Sequence, residues 1–340
     1  ALPISLGTLA EFWERYYLPD AKKRWKPRTM AENVRRWKKF IEPKLGRHTL
    51  SAITKGDVVR FHKGMSDTPT EANRCLSLIR AILETAIDAE LIDSNPASRV
   101  KRNKERSRDR YLSPKETAAI LDAIDAEEEA GGKAAVKRSG DSKGRGGKGM
   151  KETESRGITP HAAGLFRLLI YTGARLSEIM TARWEWADLD VGVLRLPDSK
   201  TGAKFIYLNK LAVAELERLK ELSGSAYIIE GRTPDAPLVN AQKAWQRVRT
   251  RAGLPDVRIH DLRHSWASFA IAGGVALQVT GKALGHAQAR TTERYAHLAD
   301  DPIRAAVDVV GDQIERARKD HKPARIETIT PPKKAEGGES

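Results

Sequence analysis

His260-Asp261-Leu262-Arg263-His264, then Leu284-Gly285-His286, then Thr291-Thr292-Glu293-Arg294-Tyr295-Ala296-His297, form the stretch on which the reading of this chain turns. Side chains three and four apart share a helix face, so a helix over 260–272 puts His260, Arg263 and His264 together. Two histidines at i and i+4 also match a zinc-ligand spacing. Zinc, however, calls for Glu after the first His and a third ligand nearby. Here a permanently charged arginine stands between them, which suits an anion and repels a cation. Upstream, Thr172-Gly173-Ala174-Arg175-Leu176-Ser177-Glu178-Ile179 sets a second arginine just after a glycine turn, at the start of another helix. Alone, that segment reads equally well as a structural Arg–Glu pair.

Composition points the same way. The 340 residues carry 60 Lys and Arg against 45 Asp and Glu, a net charge of +15, and a polyanionic partner follows, nucleic acid first. Residues 1–110 hold 24 of the basic and 14 of the acidic side chains, so most of the excess lies in the first third. A single cysteine, Cys75, excludes a disulfide framework and any Cys-rich zinc or iron–sulfur module. No apolar run approaches the ~20 residues needed to span a bilayer. The start, Ala1-Leu2-Pro3, lacks signal-peptide order and an initiator Met, so a cytoplasmic, nucleoid-associated protein trimmed upstream is expected.

The hydrophobic spacing predicts two domains, mainly α. Over 1–100, helices are expected at 8–17, from Pro27 through Phe40, after Thr54, and from Pro69 to Asn95-Pro96, making a four-helix (SAM-like) module with a basic surface. Arg35, Arg36 and Lys38 lie on its second helix. Residues 101–111, with Lys101, Arg102 and Lys104, are too polar to pack and read as a basic linker able to contact phosphates. Ser113-Pro114-Lys115-Glu116 is a capping box that opens a second domain over 112–318, helical with a small antiparallel hairpin, Gly192–Leu196 and Lys204–Leu208. Residues 131–157 are Gly-, Lys- and Ser-rich and read as a flexible insertion. Its Gly147-Lys148 fails the phosphate-loop pattern, because Ser142 stands where the first glycine belongs and Gly149 follows the lysine. Residues 319–340 read as a disordered tail.

Two arginines, two histidines, a hairpin lysine and a tyrosine form a metal-free set for a phosphodiester. Arginines hold phosphate oxygens bidentately, imidazoles donate or move protons, and a tyrosine hydroxyl can attack phosphorus and keep the bond energy, without ATP. The order and spacing of Arg175, Lys200, His260, Arg263, His286 and Tyr295 resemble the tyrosine recombinase (phage integrase) family over roughly residues 8–317. That resemblance implies a site-specific DNA recombinase, with Tyr295 as nucleophile forming a 3′-phosphotyrosyl bond. Arg175 and Arg263 would hold the scissile phosphate, Lys200 would be the general acid, His260 would assist proton transfer and His286 would hydrogen-bond the phosphate. Glu178 would orient Arg175, and Lys204, on the same hairpin, could reach in place of Lys200. His264 reads as helix packing or capping, and His297 as structural.

The resemblance further implies double-stranded DNA as partner, a homotetramer on two duplexes, and no cofactor or metal. Accessory DNA-bending proteins, and whether the helix at 302–317 docks on its own or a neighbouring protomer, are left open. The insertion favours an integrase of a prophage or other mobile element over a Xer-like dimer resolvase. Integrases of this type often carry an N-terminal arm-binding domain that nothing before Thr8 could supply, so either the chain is truncated or this member manages without it. A type IB topoisomerase shares the chemistry, but Leu-Gly-His before Tyr295 and the helical first module favour a recombinase. A DNA-binding protein without catalysis would explain the basic module, yet gives no reason for the six residues to co-occur.

Overall fold

A computed structural model describes residues 7–105, 110–140, 157–197, 202–233, 235–286, 290–293, 295–296, 307 and 310–316, with backbone alone at 132–140, 290 and 291. The chain divides into two compact units, Ala1–Arg108 and Asp109–Ser340. Among the described residues no helix is long and apolar enough to cross a membrane.

The first unit is helical throughout. α1 (Leu9–Phe12), a π-helical turn (Trp13–Tyr17) and α2 (Leu18–Arg24) run on as one stretch. α3 (Pro27–Arg36), a second π turn (Trp37–Ile41) and α4 (Glu42–Leu45) make another. α5 (Lys55–Lys63) and α6 (Pro69–Asp88) complete the four predicted stretches. Thr8 with Glu11, and Thr54 with Asp57, close reciprocal capping boxes at α1 and α5. Trp13 and Trp37 each open a π turn, and their rings stack at 4.6 Å with 8° between planes, so the wider turns coincide with the aromatic centre of this core.

Two expectations need correcting here. α6 stops at Asp88 rather than at Asn95-Pro96, because Glu90 takes a left-handed φ of 57° and Leu91 N–H returns to the Ala86 carbonyl at 3.0 Å. The start of the linker is docked, not loose: Asn103 exchanges bonds with Asn73 of α6 (N–H to Oδ1 and Nδ2 to O, both 2.9 Å), and Arg102 donates to the Ser77 hydroxyl at 2.9 Å. Lys101 and Lys104 are exposed. Arg35 and Arg36 both pair with Glu71 of α6, at 2.5 and 3.3 Å, while Lys38 is exposed.

The second unit wraps α8 (Pro160–Thr172), which begins at a Thr159 cap and buries Leu165, Phe166, Leu168 and Leu169. Before it, α7 (Pro114–Gly140) starts at the predicted Ser113–Glu116 box. Its backbone continues helical to Gly140, into the stretch expected to be a flexible insertion; residues 141–156 lie outside the described residues. Arg167 of α8 reaches Asp125 and Glu128 of α7 and Glu215, at 2.5, 2.7 and 3.4 Å. α9 (Leu176–Met180) precedes a three-stranded antiparallel sheet. β2 (Val193–Leu196) and β3 (Lys204–Tyr207) are the expected hairpin, with Leu196 opposite Lys204, and β1 (Ala187–Asp188) adds an edge.

α10 (Lys210–Glu221), α11 (Gln242–Arg251), α12 (Ile259–Ala272), α13 (Leu277–Leu284) and α14 (Arg290–Glu293) follow. Of the expected helix at 302–317, residues 307 and 310–316 are described; Val307, Val310 and Ile314 are all exposed. The tail at 319–340 lies outside the described residues.

Gly173 ends α8 at φ +63°, where an added Cβ would sit 2.8 Å from the Trp266 ring and 2.9 Å from Leu284. Backbone strain and overlap both oppose a side chain there. Gly173→Ala is expected to cost about 2–4 kcal/mol, read as a lower denaturation midpoint at unchanged m-value.

Candidate active site

Gly173 turns the chain so that Arg175 becomes the N-cap of α9. Its backbone N–H donates to Glu178 Oε2 at 2.8 Å and its Nη1 to Glu178 Oε1 at 2.8 Å. Its Nη2 donates to the Gly285 carbonyl at 3.1 Å. Glu178 is therefore the orienting residue that the motif suggested. It is also paired on its other side, with Lys204 Nζ at 2.8 Å. Burial alone would raise the Glu178 carboxyl, but bonds from Lys204 and Arg175 outweigh it and hold it below its usual value. Burial likewise lowers the Lys204 ammonium, with Glu178 opposing.

Arg263 comes from α12, one turn beyond its start, and is 5% exposed. Nη1 donates to the Gly173 carbonyl and Nη2 to the Leu284 carbonyl, each at 2.8 Å. The guanidinium thus joins the ends of α8 and α13, where helix dipoles favour a cation. Burial, then the charge of Arg175, brings Arg263 down to about 10, so it remains charged at neutral pH. Both arginines are aimed by the same αL turn, Leu284-Gly285, which ends α13 at φ +69° and presents His286 next. His286 Nδ1 bonds Thr292 Oγ1 at 2.9 Å. Burial and then the surrounding cations Arg263, Arg175 and Lys204 lower His286 to about 4, which leaves it neutral at pH 7.

Tyr295, 6% exposed, clusters with Ala267 and Ile271 of α12 and Leu284 of α13. Its hydroxyl meets Nδ1 of His264, and its charge couples to Arg263. His260 is exposed at the first turn of α12, with its ring edge-on to His264 at 4.8 Å between centroids. A cleft of about 540 Å³ opens beside it, lined by His260, Arg263, Ala174, Arg249 and Arg258 among others.

Arg175, Arg263, His286 and Tyr295 are thus brought together as the sequence order suggested, with His260 at their edge. Lys200 and His297 lie outside the described residues. The lysine seen at the site is Lys204, the hairpin alternative. His264 departs from its reading as a packing or capping side chain, because its ring nitrogen faces the Tyr295 hydroxyl. Thr292 was not singled out; its position one turn before Tyr295 was the available signal. Lys101, Arg102, Lys104, Arg35, Arg36 and Lys38 belong to the first unit.

Two family models match the sequence, the phage integrase central domain over residues 11–103 and the phage integrase family over residues 150–301. The chain belongs to the phage integrase (tyrosine recombinase) family. The integrase of Salmonella phage P22 is 32% identical over 148 residues, which cover 39% of this chain and 38% of that protein. Tyrosine recombinase XerD of Neisseria meningitidis serogroup B is 28% identical over 162 residues, 44% of this chain and 55% of the relative. The chain therefore spans about half or less of the length of these curated relatives. A lambda integrase dimer bound to a COC′ core site superposes with a TM-score of 0.62 at 19% identity, covering 83% of this chain and 96% of that one. The Tn1549 transposon integrase in complex with circular intermediate DNA gives 0.66 at 16%, covering 89% and 99%. At such identities the likeness establishes the fold. Within the family frame, the central-domain match runs from the end of α1 through α6, and the second match contains all six motif residues from Arg175 to Tyr295.

Proposed function

We propose that this chain is a site-specific DNA recombinase of the integrase class, which breaks and rejoins strands through Tyr295. The observation that carries the reading is the convergence of Arg175, Arg263 and His286 on one turn, Leu284-Gly285, with the Tyr295 hydroxyl beside them. In this reading the guanidiniums bind the non-bridging oxygens of the scissile phosphate, and their fixed positions stabilise charge building on five-coordinate phosphorus. Tyr295 attacks, a 3′-phosphotyrosyl bond forms, and the 5′ oxygen leaves as a hydroxyl after protonation by Lys200. Lys204 holds Glu178, which holds Arg175. Three cations against the single carboxylate of Glu178 leave the site net positive, which suits an anion.

Neutral His286 serves as a hydrogen-bond donor to the phosphate through Nε2, which requires Nδ1 to accept from the Thr292 hydroxyl. Thr292→Val keeps the shape and removes that donor. Strand cleavage is expected to fall about 10-fold, with DNA affinity little changed, in single-turnover measurements. A rate within twofold of wild type would remove Thr292 from the site.

Double-stranded DNA is the substrate. The first unit supplies largely sequence-blind phosphate contacts, and a homotetramer on two duplexes completes strand exchange. In support, a lambda integrase neighbour is a tetramer bound to a Holliday junction, at a TM-score of 0.60 and 18% identity. A mobile element is the favoured context, with dimer resolution as the runner-up because XerD is among the relatives.

The test is covalent capture of the full chain on a pool of nicked duplexes with a randomised centre, resolved by denaturing electrophoresis. A DNA-linked species whose modified peptide contains Tyr295 is expected, and the captured sequences identify the site. Absence of any adduct across the pool would sink the proposal. Direct repeats of the captured site at the ends of an element would fix the integrase role; a single chromosomal copy would fix resolution.

A further inference from the structure

We infer that His264 is a further catalytic residue, the acceptor of the Tyr295 proton; this rests on the reading of Tyr295 as nucleophile. A phenol with an ordinary pKa near ~10 is almost wholly protonated at neutral pH, so attack on phosphorus needs a base in contact with the hydroxyl. α12 presents His264, Ala267 and Ile271 at i, i+3 and i+7, hence on one face. Tyr295 clusters with the two apolar members of that face and with Leu284, which fixes its ring. At the other end of the ring, the Tyr295 hydroxyl meets His264 Nδ1. The two ring centroids are 5.9 Å apart and the planes tilted by 47°, so the contact runs through the heteroatoms and is not a stack.

His264 is half-buried on the side of α12 that Tyr295 covers, while His260 is exposed one turn earlier. This division suits two roles: His260 toward the cleft, and His264 toward the nucleophile. Among the described residues, the titratable and charged groups around the pair are His260 and Arg263 on α12, with Arg175 and Glu178 of α9, Lys204 of β3 and His286 after α13 grouped about Arg263. The Arg263 charge, coupled to Tyr295, favours the phenolate character that develops during attack.

The Tyr295 Oη–P bond forms as the P–O5′ bond breaks. The phenolic proton passes to His264 Nδ1, giving an imidazolium, and the 5′ oxygen takes its proton from the general acid. In rejoining, a 5′ hydroxyl attacks the phosphotyrosine and gives its proton back to the deprotonated general acid; the P–O5′ bond forms as the Tyr295 Oη–P bond breaks, and His264 returns its proton to the departing phenolic oxygen. Nothing beyond the two DNA ends is consumed.

The experiment uses duplexes captured from the randomised pool, in single-turnover cleavage by the full chain between pH 5 and 9. The wild-type rate is expected to rise through the imidazole range and level off. His264→Ala is expected to be slower by about 10²–10⁴-fold. His264→Asn keeps a hydrogen-bond acceptor near the Nδ1 position but cannot take a proton. It should bind DNA like wild type, cleave at least ~10²-fold more slowly, and lose the imidazole inflection.

A 5′-bridging phosphorothiolate, whose sulfur leaves without a proton, should rescue Lys200→Ala and leave the His264 defect unrelieved. Wild-type rates in His264→Asn overturn the assignment, as does an inflection that persists in it and vanishes in His260→Asn. In either case Tyr295 stands as nucleophile, provided the wild type still forms its adduct. Failure of the wild type to form one removes the parent reading instead. Should His264→Ala not fold, His264→Asn decides the matter alone.

Discussion

Tyr295→Phe should bind the captured duplex and form no covalent adduct with it, even after long incubation. The substitution removes a single oxygen. The ring, 6% exposed, keeps its contacts with Ala267, Ile271 and Leu284, so the packing at the α12–α13 corner survives. Lost with the oxygen is one hydrogen bond to His264, worth about 1 kcal/mol in stability, a small fraction of what a domain of this size has to spare. The groups proposed to bind phosphate, Arg175, Arg263 and His286, are untouched, because the hydrogen bonds that hold them go to carbonyls, Glu178 and Thr292 rather than to the tyrosine. Affinity within about threefold of wild type and complete loss of adduct is thus the expected pair of results, by fluorescence anisotropy and denaturing electrophoresis. An adduct that persists at comparable yield would mean that another side chain attacks, and the mechanism would fall with it.

Much of this site was legible from spacing. Arg175 and Glu178 stand three apart at a helix start, and the structure makes that spacing a reciprocal cap and an ion pair. Leu284-Gly285-His286 was legible as a motif, and in the structure its αL glycine ends α13 and sets both arginines through backbone carbonyls. What spacing could not supply is which residues come back over a helix after a turn. His264 sits at i+4 from His260 on any helical reading. Its contact with Tyr295 depends on how α13 and α14 fold back onto α12, a tertiary fact with no local signature.

Lys204 illustrates the same limit from the other side. Hairpin register places it opposite Leu196, but only packing against α13 brings it to Glu178. The elements misjudged were those decided by a single residue or turn. Glu90 ends α6 by adopting a conformation that its type seldom takes, and two π turns begin at tryptophans that a 3.6-residue stripe cannot distinguish from ordinary helix. The basic excess in residues 1–110 is similarly less free than its count suggests, because Arg35 and Arg36 are engaged by Glu71 and Arg102 by Ser77. Net charge locates the unit that carries the basic excess; it does not say which side chains are available to a polyanion.

Arg263→Lys is the conservative change expected to do the most damage after loss of the nucleophile. Charge is retained, so a purely electrostatic role predicts little effect. The geometry predicts otherwise. Arg263 spends Nη1 on the Gly173 carbonyl and Nη2 on the Leu284 carbonyl, each at 2.8 Å, and still has N–H groups in the same rigid plane for a phosphate. A lysine offers one compact ammonium on a flexible stem and cannot span two helix ends while reaching a third acceptor. Wherever it settles, at least one buried carbonyl loses a partner, at about 1–3 kcal/mol, and the phosphate loses a donor placed for the transition state. Removing one such fixed donor elsewhere costs ~10²–10³-fold in rate. The expected outcome for Arg263→Lys is therefore a 10²–10³-fold fall in single-turnover cleavage, a lower denaturation midpoint, and DNA affinity reduced by less than tenfold. Burial also brings Arg263 to about 10, and a lysine starting from a lower value would be pushed further toward losing its proton there, deepening the loss at neutral pH. That last effect has a distinct signature: the variant's rate should climb as pH falls from 9 to 7, a window in which the wild-type rate is expected to have levelled off. A variant within tenfold of wild type at every pH would show that charge alone suffices at this position and that the planar fork is dispensable.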